Sequence, residues 1–157
     1  MFIDAHKKFM AALVAGKVDF LLVGGYAVIF YGYVHNTVDL DLWLKPENSN
    51  RDKLLPVFRE FGISDHGIES LQQMDFTQPQ AFHIGEQPYR IDFLTWMMGL
   101  KFEDAYANRS KLQVDSTTIP VIGLNDLLIN KMLSERFKDK ADVEELQKIH
   151  ELRENED

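Results

Sequence analysis

The sequence predicts an α/β fold, a small mixed sheet flanked by helices. Three observations carry that reading. Phe20–Val23 is a short apolar run stopped by Gly24-Gly25, as for a buried strand that enters a tight turn. Residues 39–44, Asp-Leu-Asp-Leu-Trp-Leu, alternate with a period of two, the mark of a strand whose two faces meet different surroundings. Ala81–Ile84 and Tyr89–Leu94 flank Gly85-Glu86-Gln87-Pro88, the layout of a hairpin with a four-residue loop.

The helices follow from spacing and punctuation. Phe2, His6, Phe9, Met10 and Leu13 recur at helical intervals, so Asp4–Ala15 reads as a helix laid over the sheet, ended by Gly16. Tyr26–Tyr31 is compact and apolar enough for a short helix, with Gly32 behind it. Lys45–Asn48 is a turn. Ser49 is placed to cap the next helix, whose apolar face is Leu54, Leu55, Val57, Phe58 and Phe61; Pro56 should kink it and Gly62 closes it. Residues 68–74 suggest a short helix, and Asp75–Pro79 reads as a loop near a substrate. Phe102–Asn108 is a short helix, Leu112–Val114 and Thr118–Ile122 are short strands, and Gly123–Glu135 and Ala141–Leu152 are the last two helices. The chain is expected to form a single domain over residues 1–152, with an acidic, frayed tail at 153–157.

Composition bounds the function. The chain has 157 residues, enough for one domain with a real core, and its 45% hydrophobic and 27% charged content is that of a globular protein. It contains no cysteine, which excludes disulfides and cysteine-ligated zinc. No apolar run is long enough to span a membrane and the N-terminus lacks a signal-peptide layout, so a cytoplasmic location and no membrane partner are expected. The net charge of −8 argues against non-specific coating of nucleic acid, which rests on clustered Lys and Arg. The five histidines have no zinc-like spacing, and no Ser/His/Asp or P-loop pattern is present.

The chemistry concentrates between residues 20 and 44. Asp39 and Asp41 share one face of their strand, where their charges repel. A divalent cation relieves that repulsion. Mg²⁺ (or Mn²⁺) takes oxygen ligands and completes its shell with water and substrate phosphates. Gly24 and Gly25, which have no side chains, let a backbone approach a phosphate at the start of the following helix, whose free N–H groups favour an anion.

Gly24-Gly25, thirteen intervening residues, then Asp39-Leu40-Asp41-Leu42 resembles the signature of the nucleotidyltransferase superfamily that includes DNA polymerase beta, in its small stand-alone bacterial members. Thr37 stands in the family position, while His35 replaces an Arg that many members carry there. Arg90-Ile91-Asp92-Phe93-Leu94 is similar to the later strand that supplies the family's third acid, and Lys131, Arg136, Lys138 and Asp139 match its C-terminal segment. The resemblance implies a nucleotidyltransferase fold and an enzyme moving a nucleoside monophosphate from an NTP to a hydroxyl. Asp39, Asp41 and Asp92 would be its catalytic and metal-binding acids. Gly24, Gly25, Thr37, Lys131 and Lys138 would bind the nucleotide. The acceptor could be RNA, protein or a small molecule.

Plainer readings stand beside these. Arg90 and Asp92 make an ordinary ion pair on a solvated strand face in one of them. In another, Arg136, Lys138, Asp139 and Asp142 are a helix-capping and salt-bridge network; that plainer reading is preferred for Arg136 and Asp142, and both readings remain open for Lys131 and Lys138. The rival function is a weak or inactive binding module of the same fold, such as one partner of a toxin–antitoxin pair, bound to another protein.

Overall fold

The computed structural model describes residues 1–33, 36–37, 39–133 and 137–156, with side chains not described at 137–141 and 156. Its element order is α1 (Asp4–Ala15), β1 (Phe20–Val23), α2 (Gly24–Phe30), β2 (Leu40–Leu44), α3 (Asn48–Glu60), α4 (Asp65–Gln73), β3 (Ala81–Ile84), β4 (Ile91–Leu94), α5 (Phe102–Ala107), β5 (Ser110–Val114), β6 (Thr117–Val121), α6 (Leu124–Met132) and α7 (Phe137–Glu156). The strands form a mixed sheet in the order β3-β4-β2-β1-β6-β5. Parallel pairing joins β2 to β4 and β1 to β6; the other neighbours are antiparallel.

β1 and β2 lie at the centre because both are apolar enough to be covered on two sides. All four residues of β1 are buried, and Leu40, Leu42, Trp43 and Leu44 of β2 are at most 1% exposed. The leucine face of β2 and its neighbour Phe93 on β4 pack under α1 and α3. Phe93 meets Phe9 at 5.9 Å and Phe58 at 5.7 Å between ring centroids. Burying each such side chain contributes about 1.5–3 kcal/mol. The opposite face carries Asp41 and, two residues on, Trp43, whose ring meets Phe102 of α5 edge-on at 5.2 Å.

The first helix and first strand fall where the sequence puts them, and His6 joins Phe9, Met10 and Leu13 in the core. Other boundaries move for local reasons. α2 opens at Gly24, so the glycines form its first turn rather than a separate one. Ser49 is not a cap: α3 starts at Asn48 after Glu47, with no side-chain cap. The Asn48 side-chain oxygen instead accepts from Phe76 N at 2.8 Å, which pins the 75–79 loop. Ser64 is the residue that caps, taking a hydrogen bond from Gly67 N at the head of α4. β4 begins at Ile91, so Tyr89 and Arg90 belong to the hairpin loop. α6 ends at Met132, and α7 runs to Glu156, past Leu152. Among the described residues, no helix is long and apolar enough to cross a membrane.

Candidate active site

The site lies where the end of β1 meets the start of β2. In the antiparallel register Val23 faces Asp41, and in the parallel register Asp41 faces Asp92. Residues directly opposite on neighbouring strands project from the same side of the sheet. Asp41 and Asp92 therefore form a row of acids on one face, both partly buried, with Asp39 just before β2. Like charges so placed are destabilising by themselves. His83 of β3 continues the row beyond Asp92.

Both glycines are explained by what stands against them. Gly24 has φ +68°, and a Cβ there would overlap the Asp41 carboxylate, with its carbon at 2.9 Å. At Gly25 a Cβ would lie 2.8 Å from the Thr37 hydroxyl oxygen. The Gly-Gly pair thus seats Asp41 and Thr37 against the first turn of α2, which no side chain caps. Thr37 Oγ1 donates to the Asp39 carbonyl at 3.3 Å, fixing the approach to the acids.

The hairpin loop before β4 supplies two further contacts. Gln87 Nε2 donates to Asp39 Oδ1 at 3.2 Å. Arg90 grips Asp92 with a fork, Nε to Oδ1 and Oδ2 at 3.2 Å each and Nη2 to Oδ1 at 2.9 Å. That hydrogen bonding, with the Asp92 and Asp39 charges, holds the Arg90 pKa above its ordinary value. Hence Asp92 lies in register with Asp41 and is also ion-paired to Arg90. The solvated pair foreseen for these two residues exists alongside the acid row.

Two buried ionisable groups back the site. Tyr26 of α2 is pushed above its usual pKa by burial and then by the Asp39 charge. His6 of α1 is 1% exposed, and neither ring nitrogen has a hydrogen-bond partner among the described residues. Burial lowers its pKa, opposed by the neighbouring Tyr89 and Arg90 backbone and by the Asp39 charge.

The donor set can be weighed against Mg²⁺. The ion needs only one or two carboxylates from a protein when phosphates and water supply the rest. Asp39 and Asp41, two carboxylates, match that demand in chemistry. Among the described residues, no group of three His, Cys, Asp or Glu side chains is assembled to hold a metal alone.

Four candidates remain: Lys131, Lys138, Arg136 and His35. Lys131 is buried in α6, 8% exposed, and its Nζ lies 3.5 Å from Asp142 Oδ2 on α7, itself 2% exposed. Lys131 thus makes a salt bridge, the plainer of the two roles open to it, and the structure supplies its partner on the neighbouring helix. Arg136 and His35 lie outside the described residues, as does the side chain of Lys138. Sequence reasoning missed Gln87 and His6. Gln87 sits in a turn whose composition explains itself, and His6 occupies a core position of a helical pattern, so neither gave a signal.

A six-stranded mixed sheet with an acid row at the β1–α2 junction is a nucleotidyltransferase-type architecture. The chain belongs to the family described as "Nucleotidyl transferase of unknown function (DUF2204)", which matches residues 3–156. No curated protein matches it in sequence. Among solved structures, it is similar in fold to the lincosamide antibiotic adenylyltransferase LnuA in its lincomycin-bound crystal structure. The TM-score is 0.58 at 14% identity, over 95% of this chain and 98% of that one.

Proposed function

We propose that the protein is a metal-dependent nucleotidyltransferase that moves a nucleoside monophosphate from an NTP to a hydroxyl acceptor. The observation that carries this reading is the placement of Asp41: opposite Asp92 in register, with its carboxylate in the space a side chain at Gly24 would fill. A stable strand has no use for that arrangement, whereas a Mg·triphosphate does. Asp39 and Asp41 would hold the ion. Held there, the ion would supply positive charge to the phosphates and to the attacking and leaving oxygens.

The protein's own groups account for the rest. The uncapped first turn of α2, opened by Gly24 and Gly25, leaves backbone N–H groups for phosphate oxygens. Thr37 and Gln87 hold Asp39 in place. In the transfer, the acceptor hydroxyl oxygen bonds to the α-phosphorus, the bond from that phosphorus to the bridging oxygen breaks, and pyrophosphate leaves. Asp92, freed from Arg90, would draw off the hydroxyl proton. Labelled NTP with Mg²⁺ and the purified protein tests this against RNA, protein and small-molecule acceptors. Metal-dependent transfer of label to one of them supports the enzyme; tight NTP binding without transfer to any acceptor sinks it.

The second reading, a weak or inactive module that binds a partner protein as in a toxin–antitoxin pair, is favoured by the Arg90–Asp92 fork. A carboxylate engaged by a guanidinium at three contacts is neutralised without metal. If the fork persists with Mg·NTP bound, the third acid is unavailable for chemistry and this reading takes over. The likeness to LnuA concerns the fold and names no acceptor for this chain.

A further inference from the structure

The chain carries a net charge of −8, yet one cavity gathers cations. It has a volume of about 250 Å³, is walled by Phe20 and Pro120, and is lined by Lys17, Asp19, Arg109 and Lys111. Three cations less one carboxylate leave a local charge of +2. That volume lies below the range of pockets for drug-sized molecules and suits a small anion. β1 runs from this cavity at Phe20 to the acids at Val23, so the two charged regions stand at opposite ends of the strand, roughly 10 Å apart along it.

The cations are delivered by different local devices. Helix α1 closes in a Schellman turn, with Val18 N donating to Leu13 O at 3.0 Å and Lys17 N to Val14 O at 3.1 Å. The residue after the cap then takes left-handed backbone, and that residue is Lys17, at φ +59°. Glycine is the usual occupant of such a position, but Gly16 stands one place earlier, at the cap with φ −80°. Holding an exposed lysine there strains the chain for no packing gain. Arg109 is half-buried and fixed. Its guanidinium carbon lies 4.1 Å from the centroid of the Tyr106 ring, and Nη1 donates to Tyr106 O at 2.8 Å. Stacked in this way, the guanidinium has little freedom left to lose on binding, and Nε and Nη2 have no partner among the described residues. Lys111 is exposed on β5, opposite Pro120 of β6. Among the described residues, none of the three cations has a carboxylate at ion-pair distance, Asp19 included.

We propose that this cavity is a second binding site, for a phosphate group in its doubly charged form, free or as a monoester. The Arg109 fork takes two phosphate oxygens, and Lys17 and Lys111 add point charges. The site uses none of the acids, so it stands whether or not the protein transfers nucleotides.

The test is calorimetry of the full chain at pH 8 in EDTA, so that no metal ion bridges phosphate to the acids. The probes are inorganic phosphate, glycerol 3-phosphate and dimethyl phosphate. Inorganic phosphate should bind saturably. An equal affinity for glycerol 3-phosphate means that the anion alone is recognised; a tighter one adds a contact to the ester arm. Dimethyl phosphate, a monoanion, should bind at least about tenfold more weakly. Arg109→Gln should weaken phosphate binding about tenfold, the loss of a charge-assisted fork. Lys17→Gly should weaken it about three- to tenfold. The same variant should melt higher than the wild type, since glycine takes left-handed backbone without strain. Asp41→Asn should bind phosphate as the wild type does. Absence of saturable phosphate binding overturns the proposal, as do equal affinities in wild type, Arg109→Gln and Lys17→Gly. Dimethyl phosphate bound as tightly as phosphate overturns it too, and a changed affinity in Asp41→Asn would move the anion to the acid row and overturn it as well.

Discussion

Two charged clusters drew attention as nucleotide contacts, and the fold treats them in opposite ways. At the β1–β2 junction, partly exposed carboxylates of like sign face each other across parallel strands, with a glycine kept bare to make room for one of them. Between α6 and α7, Lys131 and Asp142 are opposite in sign, buried, and 3.5 Å apart. The second cluster answers its own charge. The first gathers like charges on one face of the sheet, where Arg90 answers Asp92 and a bound cation would relieve the repulsion further. Burial together with sign, rather than residue type, separates a structural ion pair from a site that awaits a ligand.

The largest expected effect lies in the helix pair. Lys131→Ala removes a cation from beside a buried carboxylate, and breaking a buried pair costs about 3–5 kcal/mol. Denaturant unfolding should show that loss, while folded Lys131→Ala protein binds Mg·NTP as the wild type does. A fall in nucleotide affinity with stability intact would return Lys131 to the nucleotide site and erase the contrast between the clusters.

Asp92→Asn sharpens the other half. Transfer should drop by two orders of magnitude or more, about 2.7 kcal/mol of transition-state stabilisation, while NTP affinity changes only a few-fold. Transfer measured beside calorimetry separates the two quantities. If Asp92→Asn transfers at the wild-type rate, the fork with Arg90 is the whole role of Asp92.

A smaller effect concerns His6, behind the acids. Its folded-state pKa lies below the unfolded value of 6.5, chiefly through burial. The unfolded chain then binds the proton more readily, so stability from this residue is full above pH 6.5 and declines as pH falls from there toward the folded pKa. Melting temperatures followed from pH 7.5 downward should decline more steeply in the wild type than in His6→Leu. Parallel curves would mean that His6 titrates as an exposed histidine does.

What the sequence disclosed and what it withheld follow from the range of the interactions. The bounds of α1 and β1, the strand that carries Asp41 and the place of Asp92 on a later strand were legible, because they rest on local periodicity and punctuation; the strand begins at Leu40, however, and leaves Asp39 ahead of it rather than on its face. The Ser49 cap misled because a distant group decided the matter: the neighbouring Asn48 turns its side chain to Phe76 N, twenty-eight residues on. Lys131 could not be assigned because its partner lies on another helix. Gln87 reaches Asp39 across 48 positions of sequence. Even the Gly-Gly signature showed its physical reason only in three dimensions, where the Asp41 carboxylate and the Thr37 side chain occupy the missing Cβ positions.

Calorimetry of Mg·NTP binding to the wild type and to Asp41→Asn tests the central claim most directly, because it requires no knowledge of the acceptor. The acid row predicts metal-dependent binding in the wild type and at least a tenfold weaker affinity in the variant, about 1.4 kcal/mol. The metal-free variant should melt no lower than the wild type, since one of two facing like charges has been removed. Equal affinity in the two proteins, or a metal-free Asp41→Asn that melts well below the wild type, would contradict the claim and make Asp41 a structural residue.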